Sequence, residues 1–178
     1  INTWQSKVYA KSRLNIQCEY TITMNILVLS PELYNKNYMY FLDSKPNHVV
    51  DGIFTKVIYS SPHYTMNGLF LHLPVRSSQV DVVVKYKAML NFDVNENADM
   101  VRKMKSIEHN ILTQYCDKNN INKKIDTCFY DALKEGKIRI YEGSKSLYSQ
   151  YIVKISGIWE SERNCGITFK IIEALSDH

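Results

Sequence analysis

Residues 147–175, LYSQYIVKISGIWESERNCGITFKIIEAL, constrain the fold more than any other stretch of the chain. Two apolar-rich runs, 148–159 and 167–175, flank a polar connector, 160–166, that contains Asn164 and Gly166. Such runs on either side of a turn-forming segment make a β-hairpin, here with a longer loop than a two-residue turn. Gly157 sits inside the run IVKISGIW. A strand glycine marks a bulge, a bend of a closed sheet, or the close approach of another backbone. A chain that closes this way is built around a sheet.

Upstream, apolar residues recur with a period of two. Ile16, Cys18, Tyr20, Ile22, Met24, Ile26 and Val28 alternate with Gln17, Glu19, Thr21, Thr23 and Asn25, which predicts a strand over 14–29 with one buried and one wet face. Shorter strands are predicted at 38–42 and 53–59. After the Asn67-Gly68 turn, Leu69, Leu71, Leu73 and Val75 share a face. A further strand is predicted over 80–92. It carries Val80, Val82, Val84, Tyr86, Ala88, Leu90 and Phe92 on one side, and Asp81, Val83, Lys85, Lys87 and Met89 on the other.

The period then changes. Met100, Met104, Ile107, Ile111 and Tyr115 recur at spacings of three and four, widened by Val101 and Leu112, so an amphipathic helix is expected over 95–116. Asn95 or Asn97 is placed to cap it. A polar loop, 117–124, leads to a shorter helix over 125–134, and KIRIY at 137–141 reads as a strand with Ile138 and Ile140 inward. The order is strands, helices, strands, which excludes the strand–helix alternation of a parallel α/β sheet. The expected architecture is a single domain, 1–178, mainly β with inserted helices (α+β): an antiparallel OB-like barrel or sandwich with a helical insertion at 94–135.

Composition bounds the function classes. A chain of 178 residues buries a core without disulfides or metal, and its 45% hydrophobic and 22% charged residues are those of an ordinary globular protein. The net charge of +4 permits an anionic partner without requiring one. Cys18, Cys116, Cys128 and Cys165 form no CxxC and read as reduced, mostly buried thiols, not as a zinc site. No apolar run is long enough to span a membrane, the first residues lack a signal-peptide core, and no Asn-x-Ser/Thr sequon occurs, so an intracellular protein is expected. The chain starts at Ile1 and not Met, which points to an initiator or a longer piece ahead of it.

Motifs for chemistry are missing from the sequence. There is no GxSxG, Walker loop or GxGxxG, and His48, His63, His72, His109 and His178 lack partners at triad or ligand spacing. His63 and His72 flank the Asn67-Gly68 turn, where a chance pairing outweighs a metal site. Glu135-Gly-Lys137 has the Glu-x-Lys form used by metal-dependent nucleases, but such a site needs a second carboxylate on a preceding strand, and Asp126 and Asp131 fall on the expected helix. No catalytic residue, metal or cofactor is assigned.

Binding rests on other residues. Single-stranded nucleic acid is held where aromatic side chains stack on bases and cations neutralise phosphates. Candidate cations are Lys56, Lys85, Lys87, Lys137, Arg139, Lys154 and Lys170, with Arg76 beside them, and Tyr141 shares a face with Lys137 and Arg139. Candidate platforms are Tyr59, Tyr64, Phe70, Tyr86, Tyr141, Tyr151 and Trp159, about half of which are expected in the core. The lysines also fit an ordinary solvated sheet face. Lys154 and Lys170 are expected close together outside the closing hairpin.

The succession YSSPHYTMNGLFLHLPV, VVVKYKAMLNFDV, KSIEHNI, GKIRIYE and YIVKISGIWESERNCGITFKIIE, over residues 53–173, resembles the single-stranded-DNA-binding proteins of large eukaryotic DNA viruses. The likeness lies in the order of apolar strands and in the G-I-W…C-G-I-x-F close. The resemblance implies an OB-type barrel and non-enzymatic, sequence-tolerant binding of single-stranded DNA in viral replication, recombination or packaging. It also implies a place in the host nucleus, a cytoplasmic viral factory or the virion. The acidic tail common in that family has no counterpart in the ending EALSDH. The thirteen tyrosines equally suit a virion structural or assembly protein acting through homo-oligomer or viral-protein contacts, because tyrosine is enriched at interfaces.

Overall fold

The period-two segments pair into one mixed sheet, and the helical segment packs on one of its faces. The structure, a computed structural model, describes residues 2–8, 22–47, 49, 51–84, 87–141 and 149–175. In chain order the strands are β1 (Asn2–Val8), β2 (Ile22–Val28), β3 (Met39–Pro46), β4 (Ile53–Ser60), β5 (Thr65–Met66), β6 (Leu69–Leu73), β7 (Gln79–Val84) and β8 (Lys87–Asn91). Helix α1 (Ala98–Asn119), β9 (Lys124–Asp126), helix α2 (Cys128–Lys134), β10 (Lys137–Tyr141), β11 (Ser149–Glu160) and β12 (Asn164–Leu175) follow. The mainly β, two-helix expectation holds. The principal path runs β3-β4-β11-β12-β10-β8-β7 and is open, with β3 and β7 at its edges.

The closing hairpin is the centre of this sheet. Strands β11 and β12 pair from Ser149↔Leu175 to Glu160↔Cys165, and β11 also takes β4 and β6 along its other edge. Its register shifts between Ile155 and Gly157, where the strand glycine predicts a bulge. The loop is shorter than expected, because Glu160 and Cys165 already pair across the hairpin.

Three expectations are corrected. The sheet is not wholly antiparallel: β9 and β10 both run parallel to β12, at successive positions along one edge, with α2 carrying the chain between them. The single strand at 80–92 is instead the hairpin β7–β8, with Val84 opposite Lys87. No Gly, Pro, Asn or Asp marks the reversal in VVVKYKA, so the pattern reads as unbroken. Residues 124–126 are a strand, where 124 is expected in the loop and 125–126 in the helix, because the Lys124 backbone N–H donates to the Arg163 carbonyl at 3.0 Å and the parallel pairing with β12 continues to Asp126. Of the strand expected at 14–29, residues 22–28 form β2, and 14–21 lie outside the described residues.

Met100, Val101, Met104, Ile107, Ile111, Leu112 and Tyr115 of α1 are buried against Leu69, Leu71, Val153, Ile155, Ile167 and Ile171 of the sheet. The helix starts at Asn97, whose side chain bonds the Arg76 backbone and the Asp93 carbonyl, and so ties the preceding loops to the helix entry. It ends at Asn120, whose φ of 51° is a left-handed C-cap.

Two carboxylates enter this core. Glu160 ends β11 and is the acceptor for Tyr115 Oη and, at 2.8 Å, for Lys123 Nζ. Glu108 of α1 is fully buried and accepts from the backbone N–H groups of Phe129 (3.2 Å) and Tyr130 (2.8 Å), two of the free donors at the start of α2. Burial raises the Glu108 carboxyl to about 7, against the lowering effect of those two N–H groups. The folded state therefore holds a proton that the unfolded chain releases near the ordinary carboxylate value. Stability from this residue is greatest at acidic pH and falls as pH rises towards about 7. Thermal melts from pH 5 to 7.5 test this. Glu108→Ala is expected to be less stable than the parent by about 1–3 kcal/mol at pH 5, with the gap narrowing towards pH 7.5.

Candidate nucleic-acid interface

Residues of the central strands that do not enter the core alternate onto the opposite face of the sheet. Register fixes their rows. Phe54 of β4 lies opposite Trp159 of β11, which lies opposite Gly166 of β12. The next row is Lys56, Gly157 and Thr168, and the row beyond it is Phe70 of β6, Lys154 and Lys170. At the far end Ile152, Ile172 and Ala174 are covered by Ile26 and Val28 of β2, in a small second core that Phe70 also joins. From Lys154 towards Trp159, the rows are half-buried or exposed apart from the two glycines.

The two glycines seat the two rings. A Cβ on Gly157 would lie 2.3 Å from Phe54 Cζ, and one on Gly166 would lie 2.7 Å from Trp159 Cζ2. Both rings therefore lie against bare backbone. Gly68 instead lets backbone approach backbone beside the third row: its φ is +106°, and an added Cβ would stand 2.8 Å from the Ile155 carbonyl oxygen.

Three of the expected cations meet here. Lys154 is half-buried with its Nζ 5.0 Å from the centroid of Phe70, while Lys56 and Lys170 are exposed. Burial lowers the Lys154 ammonium below the ordinary lysine value, and the charges of Lys170 and Lys56 lower it further. None of the three ion pairs among the described residues involves these lysines. An anion docked between them would relieve like-charge repulsion and replace water around a partly desolvated ammonium.

Lys137 and Arg139 are exposed on β10 and alternate with buried Ile138 and Ile140. Ile140 pairs with Ile171, so one residue back along both parallel strands sets Arg139 beside Lys170 on the outer side. Tyr141 is the backbone partner of Lys87 and of Ile172. Lys85 lies outside the described residues, and the expected row through Asp81, Lys85 and Lys87 is broken by the β7–β8 reversal. On this face the aromatic–cation contact is Lys154 over Phe70, with Lys170 its register partner and Lys56 in the next row, while the Lys87 side chain, like Lys85, lies outside the described residues.

The platforms divide by face. Tyr59 and Tyr151 are buried on the helix side, and Tyr64 stacks on Tyr59 with centroids 6.4 Å apart. Phe70 and Trp159 lie on the outer face, and Tyr86 is outside the described residues. Phe54 was not among the expected platforms, although IFTKVIYS places it on the same side as Lys56. The carboxylates needed for metal chemistry do not gather: among the described residues no group of three or more His, Cys, Asp or Glu could hold an ion. His72 bonds Gln150 at 2.7 Å, His63 sits exposed in a loop, and Glu135 is exposed at the end of α2. No described helix is long and apolar enough to cross a membrane. Comparison of the chain with family models, curated proteins and solved structures finds no match.

The glycine seats are testable. Gly166→Ala forces the Trp159 indole off the backbone and is expected to destabilise the fold by about 1–3 kcal/mol with a shift in tryptophan emission. Equilibrium unfolding in denaturant reads both, and an unchanged midpoint and spectrum would contradict the seating.

Proposed function

We propose that the chain is a non-enzymatic, sequence-tolerant single-stranded-DNA-binding protein, with bases stacking on the outer sheet face and phosphates held by its lysines. The observation that carries this reading is the convergence of Lys56, Lys154 and Lys170 beside Phe70, next to the glycine-seated rings of Phe54 and Trp159. Flat aromatic surfaces accept any base, and lysines on flexible stems accept any phosphate, which gives affinity without sequence preference. Double-stranded DNA hides its base faces and would gain only the phosphate contribution.

The likeness to the single-stranded-DNA-binding proteins of large DNA viruses fits this reading. Support for the OB-type barrel comes from a circuit of pairings: β6 to β11, β11 to β12, β12 to β1, β1 to β2, and Leu29 after β2 back to Leu71 of β6. Five strands in a ring around a small core are the plan of that barrel. On this reading the protein works in viral replication, recombination or packaging inside the host cell.

A second reading, assembly through protein interfaces, is favoured by one observation. Of the exposed large hydrophobic residues among those described, Tyr40, Leu42, Val49 and Ile53 lie in or beside the edge strand β3, and Leu33 lies in the turn after β2. Light scattering with and without oligonucleotide separates the readings, since a stable oligomer without DNA affinity is the assembly outcome.

Fluorescence anisotropy with a labelled oligo-dT tests the first. Affinity is expected to fall with salt, and each of Lys56→Ala, Lys154→Ala and Lys170→Ala is expected to reduce the log–log salt slope by about 0.7. No binding at low salt, or variants indistinguishable from the parent, would overturn the proposal.

A further inference from the structure

Cys116 and Cys165 are remote in sequence and adjacent in space. Cys116 is in the last turn of α1, one residue after Tyr115, and Cys165 is the second residue of β12. Their sulfurs are 3.6 Å apart, and both are free thiols. A disulfide requires about 2.05 Å, so the two must approach by about 1.5 Å, within reach of side-chain torsions. Their environments differ in a way that gives each a separate role. Cys116 is only half-buried, whereas Cys165 is fully buried under the β11–β12 hairpin. The third described cysteine, Cys128, lies on α2 with its sulfur directed to the Ile167 carbonyl oxygen at 3.8 Å, away from this pair.

We propose that Cys116 and Cys165 are a modification site: a peroxide-class oxidant converts them to an intramolecular disulfide that staples the end of α1 to the start of β12. In the first step the accessible Cys116 thiol gives up its proton, its sulfur attacks a peroxide oxygen, the O–O bond breaks, and Cys116 sulfenic acid results while the departing hydroxide takes up that proton as one water. In the second, the Cys165 sulfur attacks the Cys116 sulfur, the S–O bond breaks, and the hydroxyl leaves as a second water with the Cys165 proton. Two thiols lose two electrons and two protons, and one peroxide becomes two waters. Burial and the neighbouring Cys116 push the Cys165 thiol up to about 12, so free peroxide in solvent finds little thiolate there. It reacts as the resolving partner because the sulfenic sulfur is delivered to it.

The bridge would close a loop with a sequence separation of 49, across the segment that contains β9, α2 and β10. It also lies one residue from Gly166, the seat of Trp159, so its formation is readable in tryptophan emission as well as in thiol count.

The test uses the full chain, treated with hydrogen peroxide, with remaining thiols alkylated after denaturation and the digest mapped by mass spectrometry. A 116–165 linked peptide with a mass 2 Da below the reduced pair is expected. The melting temperature is expected to rise by about 5–10 °C and to return on treatment with dithiothreitol. Cys116→Ser and Cys165→Ser should each abolish the linkage and the rise, with Cys128→Ser retaining both. Recovery of Cys165 as the alkylated thiol after peroxide, or linkage of either residue to Cys18, Cys128 or a second molecule in its place, would overturn the proposal.

Discussion

The buried carboxylate of Glu160 is the interaction on which the rest of this structure depends. It is the last residue of β11, and three elements reach it: Tyr115 from α1, Lys123 from the loop after that helix, and Thr55 of β4 through the Tyr115 hydroxyl at 2.8 Å. Burial, with the nearby carboxylate, holds the Tyr115 hydroxyl protonated, so it donates to Glu160. Thr55 then donates to Tyr115, and Ser44 of β3, 2.6 Å from Thr55, completes a relay of hydroxyls across three strands and a helix. Lys123 also donates to the Ser161 carbonyl at 2.7 Å, fixing the hairpin turn. Leaving a buried carboxylate without its partners is costly, about 3–5 kcal/mol for a fully buried pair and less here, where the Lys123 side chain is 27% exposed. The network therefore sets which strands adjoin and where the helix lies.

It also sets which face each residue takes. With Glu160 turned into the core, strand alternation turns Trp159 outward, opposite Phe54 and over Gly166. The Gly157 bulge then keeps Ile155 and Ile158 both in the core while Lys154 stays outside. One side of the sheet thus satisfies the helices, and the other carries rings and lysines from Lys154 to Trp159 and a small core under β2 beyond them. The backbone at Gly52 bears on the same point, since a Cβ there would lie 1.8 Å from the Glu160 carbonyl oxygen.

Much of this was legible from alternation alone. The α1 stripe, β4, β6, β10 and the closing hairpin follow from period, the register shift at Gly157 is one of three outcomes its glycine left open, and the Lys154–Lys170 neighbourhood follows from folding that hairpin on itself. The reversal inside VVVKYKA was not legible, because its residues all have high strand propensity and none has a turn's signature. The parallel strand at 124–126 was hidden because pairing with β12 is a long-range contact that local pattern does not encode. Glu108 and Glu160 were passed over for a related reason: a carboxylate on a helix or strand reads as a wet position unless its buried partners are known. Phe54 was missed as a platform although it shares a side with Lys56, because only the bare backbone of Gly157, on the neighbouring strand, reveals a ring lying across the sheet.

The proposed binding mode stacks nucleic-acid bases on the outer face at Trp159. The most direct measurement is tryptophan emission of a Trp4→Phe variant, in which Trp159 is the remaining tryptophan, titrated with unlabelled oligo-dT at low salt. Saturable quenching that parallels binding and is reversed by salt is the predicted result. Binding without any change in Trp159 emission, or no binding at all, would contradict stacking at this face.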